Sequence, residues 1–483
     1  MENTKFLERM RKLTSAEFDA FILFAESPYH NKKSAIVSLL KYLKKYHPDL
    51  RGTKVAKELV CRKIHPGGGA YRPERLDVLM SQTLRLSEDF LVHEAVKQNP
   101  LFYYERQLVA FRERGLDRDF KKTVEKIDTL LAAEKQDFAY HAAKYRLCRE
   151  VFYHPATPRK QKGMPSLEGT LHHLDAFFAA EKMHFAGLAF NRRRLLNEKY
   201  EILLLSAVLD EGKSIIDASP VLTFSARLLS LLQTEDSTLL QELTEEFAVL
   251  ASEFGYEKGQ TYLFLLLNIC AIINRKDDIP VTEHIYELYE IGLKTGYLFV
   301  NGRLTEDTIT GIISAACKTG RFTKATEYLT LSIDRVFPES ERENIFNLGR
   351  ALVEFIKAES NPASYEKTID YLRAVRFTST DYTYRVKSML LRLYLTKYLN
   401  GAGDADFIED FAAAYERQIL RDKVLSKKQK DNYLRAVRVI KSMLDYQETK
   451  SEKIRAHIRK RLTDKQPVYT RKWLQKKAEE MFL

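Results

Sequence analysis

Gly320-Arg321-Phe322-Thr323-Lys324-Ala325-Thr326-Glu327-Tyr328-Leu329 is the stretch that decides how this chain folds. Gly320 provides a turn that other residues make only with strain. From Phe322 onward, Ala325, Tyr328 and Leu329 fall on one face of a helix. Ser332 extends that face, and Pro338 ends the unit. A small residue at 325 lets this helix approach the preceding one, while aromatics at 322 and 328 fill the space toward the next pair. The stretch is therefore half of a helical hairpin that needs neighbours to cover it. Tyr365, Thr368 and Tyr371 repeat the offsets 43 residues later, and Phe407, Asp410 and Ala413 echo them 42 residues after that.

The same grammar runs outward in both directions. Thr14 and Glu17 have capping-box spacing, and Phe18, Phe21, Ile22 and Ala25 then share a face. Ile36, Leu39, Leu40 and Leu43 mark a second helix that stops near His47-Pro48. A short helix is expected over 53–64, then a loose Gly67-Gly68-Gly69, then a helix opening at Pro73. Two long helices are expected at about 166–187 and 190–210. Others follow near 220–232, 237–254, 257–274 and 280–295. His-Pro occurs at His47, His65 and His154, where a histidine meets the negative end of a helix and the proline forbids continuation.

The expected fold is all-α: a right-handed α-solenoid-like array of helical hairpins, with room for a distinct N-terminal helical domain. At 483 residues the chain exceeds one compact core. Residues 1–153 read as a basic helical domain and 154–165, with three prolines, as a joint. Residues 166–303 form an acidic middle, 304–420 the repeats and 421–483 basic capping helices. Repeat arrays need such polar caps.

Charge is arranged in blocks. Residues 1–163 hold 32 Lys and Arg against 21 Asp and Glu; 164–420 hold 27 against 37; 421–477 hold 19 against 6. Basic ends around an acidic middle suit an anionic partner, or packing of one block on another, or solvated helix faces, the default for Lys-rich helices. The best candidates for anionic-partner contacts are Arg455, Arg459, Lys460, Arg461, Lys472 and Trp473, where cations alternate with an aromatic. Ile454, Ile458 and Leu462 give the same segment an apolar face that packs. Arg192-Arg193-Arg194 reads as a solvated face or a contact with an acidic partner.

No constellation for chemistry emerges. Gly67–Gly69 lacks the Gly-Lys-Ser/Thr ending of a phosphate loop. His172-His173, Asp175 and His184 lack the i, i+4 spacing of helical metal ligands and read as polar residues on an exposed face. Glu245-Glu246 and Asp277-Asp278 are helix neighbours that do not share a face. Cys61, Cys148, Cys270 and Cys317 are far apart, as in reduced, buried thiols of a cytoplasmic protein. Residues 1–12 contain no apolar segment of a secretory signal, and the apolar run 262–273 is short of the roughly 20 residues that span a bilayer. No catalytic, cofactor or metal residues are therefore assigned, no cofactor is expected, and a membrane partner is not expected.

The segment 304–338 resembles a tetratricopeptide repeat. In that family a glycine closes the inter-helix turn, and an aromatic and a small residue follow on the second helix. Gly320, Phe322, Ala325, Tyr328, Ser332 and Pro338 occupy those places. The spacing of the echoes exceeds the family's 34 residues, and the Trp-Leu-Gly signature is missing. Ser27-Pro28-Tyr29-His30-Asn31-Lys32 is similar to a segment of uncharacterised proteins of the Bacteroidota, which brings no activity. The repeat resemblance implies a concave face lined by 304–318, 340–358 and 380–400, with Arg350 and Arg392 as contacts. The expected function is a non-enzymatic scaffold for protein partners; the alternative is a nucleic-acid-binding protein using its basic ends.

Overall fold

The computed structural model describes residues 1–64, 73–135, 137–158, 163–196, 198–276, 281–336, 339–358, 364–376, 380–464 and 466–482. His65, Gly67–Gly69, residues 159–162 of the joint, Asp277-Asp278 and Pro338 lie outside them, as does the Ser332 side chain. Among the described residues the chain is all-α. Its extended pairings are single bridges, Val300 with Arg303 and Leu304 with Val336. Helices adjacent in sequence pack on one another as hairpins. They form two compact units, Met1–Phe177 and Phe178–Leu483.

The first unit contains α1 (Lys5–Lys12), α2 (Ser15–Glu26), α3 (Ser34–Lys44), α4 (Lys57–Ile64), α5 (Pro73–Gln98), α6 (Pro100–Glu113), α7 (Asp117–Ala132), α8 (Phe138–Tyr153) and the start of α9 (Pro165–Leu196). Thr14 caps α2: its hydroxyl accepts from the Glu17 N–H, and the Glu17 carboxylate accepts from the Thr14 N–H at 2.7 Å. That reciprocal pairing holds the carboxyl below the ordinary glutamate range. The alternating charges of residues 1–12 conceal α1, whose Phe6, Leu7 and Met10 are buried. These join Phe18, Phe21, Leu39, Leu43, Val60 and Phe90 in one core. A second, smaller core of Leu108, Phe120, Ile127, Leu131, Ala143 and Leu147 lies among α6, α7 and α8.

Beyond α9, the second unit contains α10 (Leu205–Asp210), α11 (Lys213–Asp217), α12 (Pro220–Thr234), α13 (Ser237–Leu250), α14 (Tyr256–Lys276), α15 (Thr282–Thr295), α16 (Glu306–Lys318) and α17 (Phe322–Ser332). It continues through α18 (Arg342–Ala358), α19 (Tyr365–Ala374), α20 (Thr380–Leu399), α21 (Ala405–Arg421), α22 (Lys427–Thr449), α23 (Glu452–Thr463) and α24 (Arg471–Phe482). Among the described residues, a large core runs from Phe224 to Ala478. Helices from α12 to α24 contribute to it, so stacking of consecutive hairpins makes this core continuous.

At the decisive stretch, Gly320 has φ +75°, and its N–H donates to the Cys317 carbonyl at 3.0 Å. The chain then turns into α17 with Ala325 fully buried and Leu329 nearly so. Tyr365, Thr368 and Leu372 bury the matching face of α19. The third echo differs. In α21 the buried residues are Ile408, Ala412, Tyr415 and Ile419, whereas Phe407 and Asp410 are exposed. The phase of the helix is set by its whole apolar stripe, not by one aromatic. The break expected near 188 is also absent: α9 runs unbroken through Gly187 to Leu196.

Candidate functional site

Among the described residues, three places bear on the expected surfaces and on the histidines of α9. The first is a groove of about 390 Å³ in the second unit. Phe264, Leu267 and Ala271 of α14 form one wall, Tyr289 of α15 contributes the floor, and Asp307, Ser314 and Lys318 of α16 form the other wall. α16 is the first of the helices expected to line a concave face. Its buried side, Ile309, Ile312, Ile313 and Ala316, packs into the core and leaves Ser314 and Lys318 toward the groove.

Of the two arginines expected on that face, Arg350 is exposed on α18. Its guanidinium lies 4.0 Å from the Phe346 ring and 5.6 Å from the Tyr371 ring. Arg392 is half-buried on α20, 4.7 Å from the Phe355 ring and 4.6 Å from the Trp473 ring. The structure thus joins two residues that sequence reading assigned to different surfaces: Trp473 stacks on Arg392.

The remaining basic-tail residues divide between packing and solvent. Arg455 pairs with Glu452 at 2.9 Å, and both Arg455 and Arg459 lie over the Phe482 ring. Ile458 and Leu462 are buried, as the spacing of α23 requires. Lys460 and Lys472 are exposed. Arg461 borders the second place, a cleft of about 230 Å³ shared with Arg435, Arg438 and Asp464. Arg438 is held by Glu416 at 3.1 Å and Arg435 donates to the Pro467 carbonyl at 3.3 Å. Among the described residues, the Arg461 guanidinium makes no hydrogen bond or ion pair.

Several other charged groups find an oppositely charged or polar neighbour within the chain. Arg192 pairs with Glu198 at 2.8 Å, Arg193 donates to the Tyr200 carbonyl at 3.0 Å, and Arg194 pairs with Glu235. Arg227 bridges Glu242 and Glu246, so the Glu245-Glu246 pair is split between partners. His47 contacts the Leu13 carbonyl at 2.8 Å, and buried His154 lies 3.3 Å from Asp117. Both sit just beyond helix ends. Of the four thiols expected to be buried, Cys61 and Cys148 are only half-buried; burial pushes those of Cys270 and Cys317 up to about 12, which keeps them protonated and poor nucleophiles.

The third place corrects the exposed-face reading of the α9 histidines, which holds for His172 alone. His173 is half-buried, and His184 is buried beside Lys258 and Glu181. His173 Nδ1 lies 3.0 Å from Nδ1 of His141, on α8. His141, His172 and His173 each present a nitrogen, all within 4.8 Å of one another. Spacing within α9 could not reveal this cluster, because the third ring arrives from a different helix. Close approach of the helices places it: a Cβ on Gly169 would lie 2.9 Å from Cys148 Sγ of α8. Burial is the main cause that lowers both His141 and His173, the latter to about 4, so these two rings are neutral near pH 7.

Among the described residues, no helix is long and apolar enough to cross a membrane. No protein-family model, curated protein or solved structure matches the chain. The fold therefore defines its class by architecture: an all-helical, repeat-like protein built of consecutively packed hairpins.

Proposed function

We propose that this chain is a non-enzymatic cytoplasmic scaffold, a divergent tetratricopeptide-like array that binds a segment of a partner protein. The groove between α14 and α16 is the observation that carries this reading. It has apolar walls, a half-exposed Phe264 and a few polar groups at its edges. Those features suit an extended or helical segment with one apolar side. The reading draws further support from α18, where exposed Arg350 is already oriented by two aromatic rings.

The test is comparative affinity purification from the native host with mass spectrometry, run with and without nuclease. Ala271→Arg with Ser314→Arg fills the groove with cations while leaving the core intact. Nuclease-resistant partners should be lost from this variant at unchanged helicity. Recovery of the same proteins in the same amounts overturns the scaffold reading.

The arginine cleft supports a second reading, nucleic-acid binding through the basic C-terminal helices. Under it, RNA or DNA affinity falls steeply with salt, and alanine at Arg459, Lys460 and Arg461 flattens that slope by about 0.7–0.9 for each phosphate that is no longer neutralised. Absence of binding at low salt removes it.

A further inference from the structure

We propose that His141, His172 and His173 bind one divalent transition-metal ion of the zinc type, which ties α8 to α9 within the first unit. The geometry carries the proposal. Ions of this class hold imidazole nitrogens at about 2.0–2.1 Å, so two ligands around a tetrahedral ion lie about 3.3 Å apart. His141 Nδ1 and His173 Nδ1 lie 3.0 Å apart, close to that span. The three ring centroids are 5.0, 5.3 and 6.2 Å from one another, and one nitrogen of each ring lies within 4.8 Å of the other two.

The chemistry of the surroundings agrees. Imidazole binds such ions in its neutral form. Three imidazoles without a carboxylate among them favour zinc, copper or nickel over magnesium or calcium. Lys144 is the nearby cation, and Asp128 holds its ammonium at 2.6 Å. The Tyr140 ring stands edge-on to both His141 and His173 and walls one side. His172 is exposed, so the fourth position faces solvent and is open to water or to a side chain of a bound partner.

The proposal is independent of the scaffold reading, because metal uptake is measured without any partner. The full-length chain, freed of metal by chelation, is titrated with Zn²⁺ by calorimetry, and Co²⁺ is followed by visible absorption. One equivalent should bind, and Co²⁺ should give the ligand-field bands of a low-symmetry nitrogen site. His141→Gln with His173→Gln should abolish both signals. His172→Gln alters only an exposed ring and so keeps the fold; it should weaken Zn²⁺ by at least about tenfold, since even outer-sphere partners of metal ligands contribute 10–100-fold. His184→Gln, away from the cluster, should change nothing. Equal uptake by wild type, His172→Gln and the double variant overturns the proposal, as does failure of the wild type to bind one equivalent.

Discussion

The two units solve the same packing problem at different scales. The first divides its apolar residues between two separate cores, one around α1–α5 and a small one among α6–α8. In the second, among the described residues, one large core extends from Phe224 to Ala478, with Met183, Leu205, Val208 and Ile216 buried outside it. A split core localises the consequences of damage, while a continuous one spreads them along the array. The units also handle charge differently. The small core is bordered by ion pairs whose acids are buried, Glu105 with Arg146 and Glu150 with Arg112. In the second unit a buried cation takes that place: Lys258 pairs with Glu181 at 2.8 Å.

The largest expected effect breaks this comparison directly. Phe247 is fully buried among Phe224, Phe254 and Tyr297. Phe247→Ala should cost about 3–5 kcal/mol, and Ile127→Ala in the small core about 2–5 kcal/mol. Hydrogen exchange should show weakened protection along the second unit for the first variant, and weakening confined to α6–α8 for the other. Identical spreading in both variants would abolish the distinction drawn between the cores.

The buried acids come next. Glu105 is 5% exposed and accepts from Arg146 through both carboxylate oxygens at 3.0 Å. Because Arg146 keeps solvent contact, Glu105→Ala should cost about 1.5–3 kcal/mol in chemical denaturation. An unchanged midpoint would show that water replaces the pair at no cost. Gly320→Ala places a side chain at φ +75° and should cost about 1–2 kcal/mol, read as a lower unfolding midpoint of the second unit.

The smallest expected effect is one of pH. Burial first, and Lys258 second, lower the His184 pKa below 6.5 in the folded chain, whereas Glu181 acts in the opposite direction. The neutral ring is therefore favoured by folding. Its contribution is complete above pH 6.5 and declines as pH falls through the lower folded value. His184→Gln should flatten the decline of second-unit stability on acidification from pH 7; an unaltered acid limb would assign that decline to other groups.

The sequence made the local punctuation legible, and the structure supplied the rest. The Thr14–Glu17 cap, Pro73, Pro220 and Gly320 each act within a few residues, so spacing alone locates helix ends. Residues 304–318, 340–358 and 380–400 likewise contain α16, α18 and α20. What stayed hidden depends on distant partners. Met10 of α1 is buried by elements far along the chain, and its neighbours in sequence are charged. The Phe407 echo fails because four stronger apolar positions set the phase of α21. Arg194 meets Glu235 across 41 residues, and His141 meets His173 across 32, distances that periodicity within one helix does not encode.

Trp473 is the chain's one tryptophan, and it rests against the Arg392 guanidinium while packing on the core. Indole emission responds to an adjacent charge and to water. The chain thus carries an intrinsic optical reporter at its C-terminal end: fraying of α24 alters the fluorescence, and a partner that displaces this helix announces itself spectroscopically without a label.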